Sequence, residues 1–225
     1  MKSLRAEAYF LRSLSYFYLV RIFRDVPLVL EPSETDNANF YIPQSSEDEV
    51  LEQIVSDLNE NREFAPSGGF VTIAENKGRA SKAAFDALLA DIALWRFRYE
   101  EVLTHVSKIE SNERFDLMPD SKWFEIFYPG SSLESIFEFQ YDEQFNQSNS
   151  LYNLTSRFSN RYAPSQTAIE MFGSKFSVDF VRGDGATITE YAEDNYLIWK
   201  YIGERPDGQS SRAGNEQSSA NWIVY

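Results

Sequence analysis

The stretch that decides the fold is RASKAAFDALLADIALWRFRYEEVLTHVSKIE, residues 79–110. In its first half, residues spaced three and four apart share one helical face, which is apolar except for a single aspartate. That face consists of Ala80, Ala84, Ala87, Leu88, Asp91 and Trp95. The other side is kept thin by small residues, so that a neighbouring backbone can approach it closely: Ala83, Ala87, Ala90 and Ala93. The pattern predicts a buried helix with Trp95 in the core.

A second helix is predicted to follow after a very short turn. Tyr99 and two glutamates reopen the helical pattern, and its apolar residues are Val102, Leu103, Val106 and Ile109. Two helices joined in this way, with alanines at their contacts, are typical of a tetratricopeptide-type hairpin. Because such a hairpin cannot bury its faces alone, we expect a helix before it and another layer after it.

Composition excludes several classes of function. The chain has 225 residues and a formal net charge of -14, whereas binding to nucleic-acid phosphates needs clustered Lys and Arg. No apolar run is long enough to span a bilayer, and no signal peptide is present. The absence of cysteine excludes disulfides and thiolate metal sites. Leu4 already lies inside a helical pattern, and the last residues, 221–225, form an apolar run without a polar terminator. We therefore expect a fragment of a longer protein.

Two helices are predicted before the hairpin. Residues 4–23 are apolar on two faces, which indicates burial between layers. The first face is Leu4, Ala8, Leu11, Tyr18 and Ile22, and the second is Phe10, Leu14 and Phe17. Pro27 stops this helix, since the residue before a proline is disfavoured in the α region. Ser45 or Ser46 then caps a helix that buries residues between Val50 and Leu58.

The character of the sequence changes after the hairpin. We predict a short aromatic helix at 123–128, a half-buried strand at 135–141, a helix at 165–172 and a strand at 197–202. In the first strand, Phe137, Phe139 and Tyr141 alternate with Glu138 and its neighbours. Residues 142–162 and 204–221 are polar and aperiodic, which predicts loops.

Five segments in one order carry a resemblance to the SusD/RagB family. The first, LRAEAYFLRSLSYFYLVRIFRDVPLVLEP at residues 4–32, resembles that family's long first helix and its Gly-Asp-Val-Pro-Leu-Val turn, although Arg24 replaces the glycine. If that position has a left-handed backbone, a side chain there costs about 1 kcal/mol. The others are GRASKAA (78–84), ESIFEFQY (134–141), Asp179 with Arg182, and residues 221–225.

The resemblance implies a fold and a function. The fold is mainly α, with tetratricopeptide-like hairpins in a SusD-like α/α superhelix and an irregular second half that carries a few short strands. We expect a single domain, with a helical scaffold at 1–112 and a loop-rich part at 113–225. Family members are cell-surface lipoproteins of the outer membrane that bind glycans or other nutrients for a SusC-like TonB-dependent transporter. They are not enzymes, need no cofactor, and attach through a lipidated cysteine that these 225 residues do not contain.

The loop at 146–162 is the predicted glycan site. Sugar rings need flat apolar surfaces for their C–H faces and hydrogen-bond partners for their hydroxyls, and this loop interleaves aromatic with amide and guanidinium side chains. The candidate ligand-binding residues are Asn149, Tyr152, Asn153, Arg157, Phe158 and Tyr162. The alternative is an ordinary long loop whose aromatic residues pin it to the core.

Other interpretations remain open at this point. The chain could be a helical-repeat interaction scaffold without carbohydrate binding, or a glycoside hydrolase using two of its carboxylates, such as Glu134 and Glu138. Residues 193–195 could bind calcium, although a solvated acidic loop is the simpler interpretation. Trp123 is predicted to lie in the core, and His105, the single histidine, at the surface or its boundary.

Overall fold

Helices form most of the first of two units, Met1–Glu113, and the second unit is Arg114–Tyr225. The computed structural model of the chain describes residues 1–32, 41–127, 130–141, 147, 149, 154–155, 161–172, 187–198 and 222–225. The helices of the first unit are α1 (Lys2–Phe23), α2 (Glu47–Asn61), α3 (Ile73–Gly78), α4 (Lys82–Trp95) and α5 (Tyr99–Glu110). Within these ranges, no helix combines the length and apolarity needed to cross a bilayer.

The predicted hairpin is confirmed as α4 and α5. Ser81 caps α4 by accepting the backbone N–H of Ala84 at 3.3 Å. At the other end, the N–H of Arg98 bonds to the carbonyl of Ala93 and the N–H of Phe97 to that of Leu94. This is the Schellman arrangement, and Phe97 occupies its left-handed position with φ 57°. The tight ending turns the chain directly into α5.

Helix α4 is buried almost all round. Its interior residues include Phe85, Leu88 and Ile92, and its alanines are buried as predicted. Helices α1, α2 and α5 all pack against it. The layer expected before the hairpin is therefore present as the pair α1 and α2, which also pack on each other.

Helix α1 buries one face only, so the predicted burial between two layers is wrong. Its inward residues are Ala6, Phe10, Ser13, Leu14, Phe17 and Val20. The other predicted face is exposed along its whole length at Leu4, Ala8, Leu11, Tyr18 and Ile22. The helix ends at Phe23, and its C-cap residue Arg24 has φ 64° and ψ -93°, a positive φ that a glycine would adopt without steric cost.

Helix α2 begins with the predicted serine cap. Ser46 accepts the N–H of Glu49 at 3.3 Å, and the Glu49 carboxylate accepts the backbone N–H of Ser46 at 2.8 Å, which completes a capping box. The backbone and hydroxyl hydrogen bonds from Ser46 lower the pKa of Glu49. Just before the helix, β2 (Gln44–Ser45) pairs antiparallel with β1 (Val26–Pro27), which follows α1. This pairing fixes the start of α2 beside the end of α1.

Two details of the first unit depart from the sequence predictions. Helix α3 was not predicted, although Thr72 and Glu75 form another capping box at its start. In α5, Val102, Val106 and Ile109 are half-buried, but Leu103 points to solvent and was wrongly assigned to the apolar side.

The second unit is irregular in its described parts. Its elements are a 3-10 helix (Asp120–Ile126), α6 (Gln166–Phe172), β3 (Glu138–Phe139), β4 (Ile188–Ala192), β5 (Asn195–Ile198) and β6 (Trp222–Ile223). Strand β3 pairs with β6, and β4 with β5, both antiparallel. The helix predicted at 165–172 is confirmed. Of the strand predicted at 197–202, residues 197 and 198 are confirmed as part of β5, which begins two residues earlier, and residues 199–202 lie outside the described residues. Strand β4 was not predicted.

The predicted strand at 135–141 is wrong in its extent and its burial. Only Glu138 and Phe139 are in β3. Glu138 is buried and accepts the N–H of Ser131 at 2.8 Å, while Phe139 is exposed, so the predicted alternation is reversed at these two positions. The reason is that the buried Glu138 carboxylate accepts a hydrogen bond from the backbone N–H of Ser131, which offsets the desolvation cost of burying it. The predicted aromatic helix is the 3-10 helix, and it leaves Trp123 half-buried.

Together these elements confirm a mainly helical protein with a few short strands.

Candidate functional site

Of the predicted loop site, the structure describes Asn149 and Tyr162. Asn149 is only 6% exposed. Tyr162 is 60% exposed, and its backbone N–H bonds to the carbonyl of Leu154 at 2.8 Å. Tyr152, Asn153, Arg157 and Phe158 lie outside the described residues. Tyr162 thus has a ring free to meet a ligand, whereas Asn149 belongs to the interior.

A second candidate site, not predicted from sequence, lies at one end of the helical unit. Helices α1 and α4 run in the same direction, since Phe10 contacts Phe85 and, further along both helices, Phe17 contacts Trp95. Helix α2 begins at this same end, as does α5 after its short turn. A cleft of about 400 Å³ opens there, lined by Glu47, Asp48, Leu51, Trp95, Arg96 and Arg98. We call it the Trp95 cleft.

Trp95 forms one wall of the cleft, and its predicted burial in the core is wrong. Trp95 is 40% exposed. Three side chains hold it: Phe17 meets it edge-on with centroids 6.4 Å apart, the guanidinium of Arg21 lies 5.6 Å from its centroid, and its indole N–H donates to Glu47 at 2.7 Å. As the last residue of α4, Trp95 lies beyond the neighbours that cover the middle of that helix.

Charged side chains of both signs surround this ring. The guanidinium of Arg96 is 3.7 Å from both Asp48 and Glu52, and that of Arg98 is 3.3 Å from Glu101. The side chain of Arg96 is 13% exposed, whereas those of Asp48 and Glu52 are mostly exposed. The Arg96 separations of 3.7 Å exceed a hydrogen bond and leave donors and acceptors available at the cleft, whereas Arg98 does donate a hydrogen bond to Glu101. The arrangement can bind an apolar ring that carries hydroxyls.

A second polar cluster centres on Asp86, whose side chain is 2% exposed. Arg62 donates to its two oxygens at 2.9 and 2.5 Å, His105 Nδ1 lies 3.0 Å away, and Lys108 Nζ lies 3.7 Å away. Burial raises the pKa of Asp86, but hydrogen bonds from His105 and Arg62 and the charges of Arg62 and Lys108 outweigh it, so that pKa is lowered. Hydrogen bonding to Asp86 also raises the pKa of Arg62.

This Asp86 cluster joins α4, α5 and the short 3-10 helix Arg62–Phe64, so its role is to hold the hairpin to α2. His105 is half-buried, in agreement with its predicted place at the boundary. The sequence did carry a signal for the cluster, because an aspartate amid the alanines and leucines of α4 needs a partner when it is buried.

Metal binding finds no support among the side chains described. In those ranges, no three His, Asp or Glu side chains come together to hold an ion. At the suggested calcium turn, the Asp194 N–H bonds to Glu190 and the Asn195 amide to the carbonyl of Glu193, so these groups stabilise the turn between β4 and β5.

Comparison with known proteins gives consistent matches. Residues 1–94 match the model of a SusD-like family described as starch-binding and associating with the outer membrane. SusD-like protein P2 of Formosa agariphila is 30% identical over 66% of this chain, which is 29% of that protein. The chain spans 24–36% of the length of that protein and of two further SusD-like proteins, P38 and P25, from the same organism.

Solved structures of SusD-like proteins also resemble this chain. A SusD-like carbohydrate-binding protein from Bacteroides fragilis is 29% identical with a TM-score of 0.55, over 62% of this chain and 27% of that one. A SusD superfamily protein from Parabacteroides distasonis has a TM-score of 0.74 over 98% of this chain and 52% of that one, at 20% identity, which bears on the fold alone. With its ordered motifs, its helical hairpins and these matches, the chain is identified as SusD-like, similar over part of its length to a family described as starch-binding and associating with the outer membrane.

Proposed function

We propose that this protein captures oligosaccharides at the cell surface and passes them to a SusC-like TonB-dependent transporter of the outer membrane. The observation that carries the proposal is the match of residues 1–94 to a family described as starch-binding and associated with the outer membrane. Relatives named as a carbohydrate-binding protein and as a laminarin-binding protein support the same class of ligand.

In this proposal the helical unit is the scaffold and the loop around residues 149–162 contacts the glycan. The residues proposed for this site are Asn149, Tyr152, Asn153, Arg157, Phe158 and Tyr162. The exposed ring of Tyr162 supports a stacking role for that residue. Asn149 is buried, so its contribution would be to hold the loop in shape.

Binding is tested by calorimetry and by retardation in gels that contain starch, laminarin or another polysaccharide. We expect at least one neutral polysaccharide to retard the chain. Replacing Tyr162 by Ala should lower the affinity about two- to tenfold, which is the loss of one stacking contact. Tyr41→Ala, at another exposed tyrosine, is the matched control and should bind like the unmodified protein. Absence of binding to every polysaccharide contradicts the proposal.

The transporter partner is tested separately. The protein, tagged in its native host, should co-purify with a TonB-dependent barrel from detergent-solubilised outer membranes. If it binds glycan yet no such barrel co-purifies, the uptake part of the proposal is wrong and the binding part stands.

The alternative is a helical-repeat scaffold for protein interactions, favoured by the exposed apolar face of α1. It predicts a bound peptide or helix and no retention by carbohydrate. Leu11→Glu, at the centre of that face, should then abolish partner binding without unfolding the protein, because Leu11 is already in solvent.

A further inference from the structure

We propose that the Trp95 cleft is a second sugar-binding subsite, which takes one neutral pyranose ring against the exposed indole. This inference rests on the proposed function, because it gives a place on the helical unit to the same class of ligand. It is independent of the loop residues, since the cleft is lined by side chains from α2, α4 and the turn before α5.

The indole of Trp95 is a fixed platform. Phe17 and Arg21 hold the ring, and the bond from its N–H to Glu47 sets its rotation. A ring with this many contacts is expected to be buried, yet 40% of Trp95 remains accessible. A ligand that stacks there loses little of the protein's conformational freedom, which is the condition for useful affinity from one contact.

Hydrogen-bonding groups at the cleft are only partly matched to one another. Arg96 is largely buried, and its distances of 3.7 Å to Asp48 and Glu52 are too long for hydrogen bonds. The guanidinium and the two carboxylates are therefore arranged near one another without satisfying each other directly. A hydroxyl both donates and accepts, so adjacent hydroxyls of a sugar can bridge such a pair.

The charges that line the cleft are balanced. Two guanidiniums, Arg96 and Arg98, and two carboxylates, Glu47 and Asp48, face it. A uronate or a sulfated sugar would meet the carboxylates, and an amino sugar would meet the guanidiniums. A neutral ring avoids both repulsions, and the volume of about 400 Å³ falls within the range of small-molecule sites.

The test follows the indole N–H of Trp95 by ¹⁵N NMR in the complete chain. Trp95→Phe identifies this signal by its disappearance. Titration with a neutral gluco-oligosaccharide should shift the Trp95 signal, and a galacturonic acid oligosaccharide of equal length should shift it much less. In calorimetry, Trp95→Ala should weaken binding of the neutral oligosaccharide about two- to tenfold. Trp95→Phe, which keeps an aromatic face, should recover part of that loss.

Arg96→Gln serves as a second variant that leaves the platform intact and weakens only the hydrogen-bonding wall. It should lower the affinity while the Trp95 signal still responds to the sugar. Thermal unfolding of each variant identifies any that fails to fold. In that case, the response of the Trp95 indole N–H signal to the sugar in the unmodified chain decides whether the cleft binds it.

The outcomes separate this inference from the proposed function. If oligosaccharide binds by calorimetry while the Trp95 signal stays in place and Trp95→Ala binds normally, the subsite is overturned and the proposed function stands. If no glycan binds at all, both are overturned. If the uronic acid oligosaccharide shifts Trp95 more strongly than the neutral one, the assignment to neutral sugars is overturned.

Discussion

Helices α1 and α4 are both apolar on more than one side but have very different surroundings. Helix α1 is rich in leucine and aromatic residues, and α4 is rich in alanine and leucine. Yet α4 is buried almost all round, while α1 is buried on the side of Phe10 and exposed on the side of Leu11. The difference teaches that apolar composition allows a helix to be buried, whereas the helices packed against it determine how much of its surface is buried.

The neighbours account for this difference. Helix α4 packs against α1, α2 and α5, so it is surrounded. Helix α1 packs against α2 and α4, which both lie on its inner side. The predictions that follow test this comparison, beginning with the largest expected change in the free energy of unfolding.

Phe10→Ala should have the largest effect. Phe10 is fully buried, and the centroid of its ring lies 5.4 Å from that of Phe85 in α4. The substitution therefore opens a cavity between the two helices. We expect a loss of about 3–5 kcal/mol in denaturant unfolding. Phe10→Leu, the conservative control, should lose clearly less. A loss below about 1 kcal/mol would mean that the α1–α4 contact is not part of the core.

Asp86→Asn should come next, because it removes the charge that anchors α4. Arg62 would lose its bidentate counter-ion, and the expected loss is about 1.5–3 kcal/mol. The control is Glu63→Gln, which alters an exposed carboxylate paired with Arg62 and Lys82 and should lose clearly less stability. Equal losses in the two variants would contradict a special role for Asp86.

The same variant should change the dependence of stability on pH. The pKa of Asp86 is lowered in the folded protein, whereas in the unfolded chain it is about 4. Its contribution is therefore fully present above the unfolded value and is lost as the pH falls through the folded one. Unfolding measured from pH 7 down to pH 2 should show a smaller loss of stability for Asp86→Asn than for the unmodified protein.

Phe97→Gly should stabilise the end of α4. Phe97 has φ 57° in the Schellman turn, where a side chain costs about 1–2 kcal/mol and glycine avoids that cost, so we expect a net gain of up to about 1 kcal/mol. Arg96→Gly is the control one residue earlier, where φ is -87°. Glycine there should destabilise the protein. A similar melting temperature for both variants would argue against strain at Phe97.

Leu11→Ala should have the smallest effect. Leu11 lies on the exposed face of α1, so its truncation should change stability by less than about 0.5 kcal/mol. The contrast with its neighbour Phe10 isolates the two faces of one helix. A loss comparable to that of Phe10→Ala would show that this face is covered in solution.

Sequence reasoning succeeded where local chemistry fixes the outcome. The period of α4 and α5, the serine cap at Ser46, and the helix that follows Pro164 were all predicted, because each depends on residues within one or two turns. It failed for Glu138 and Phe139, whose burial depends on a donor at Ser131. It missed the Trp95 cleft, because the placement of Trp95 depends on where its partner helices end.

By itself, the sequence determined that this chain forms helical hairpins of the SusD-like kind, since periodicity, caps and ordered motifs are properties of neighbouring residues. Only the tertiary structure decided which apolar faces are covered. It left the outer side of α1 and the ring of Trp95 in solvent and gathered Arg62, His105 and Lys108 around Asp86. The physical reason is that burial and charge pairing depend on distances between segments far apart in the chain, which the spacing of residues along it does not specify.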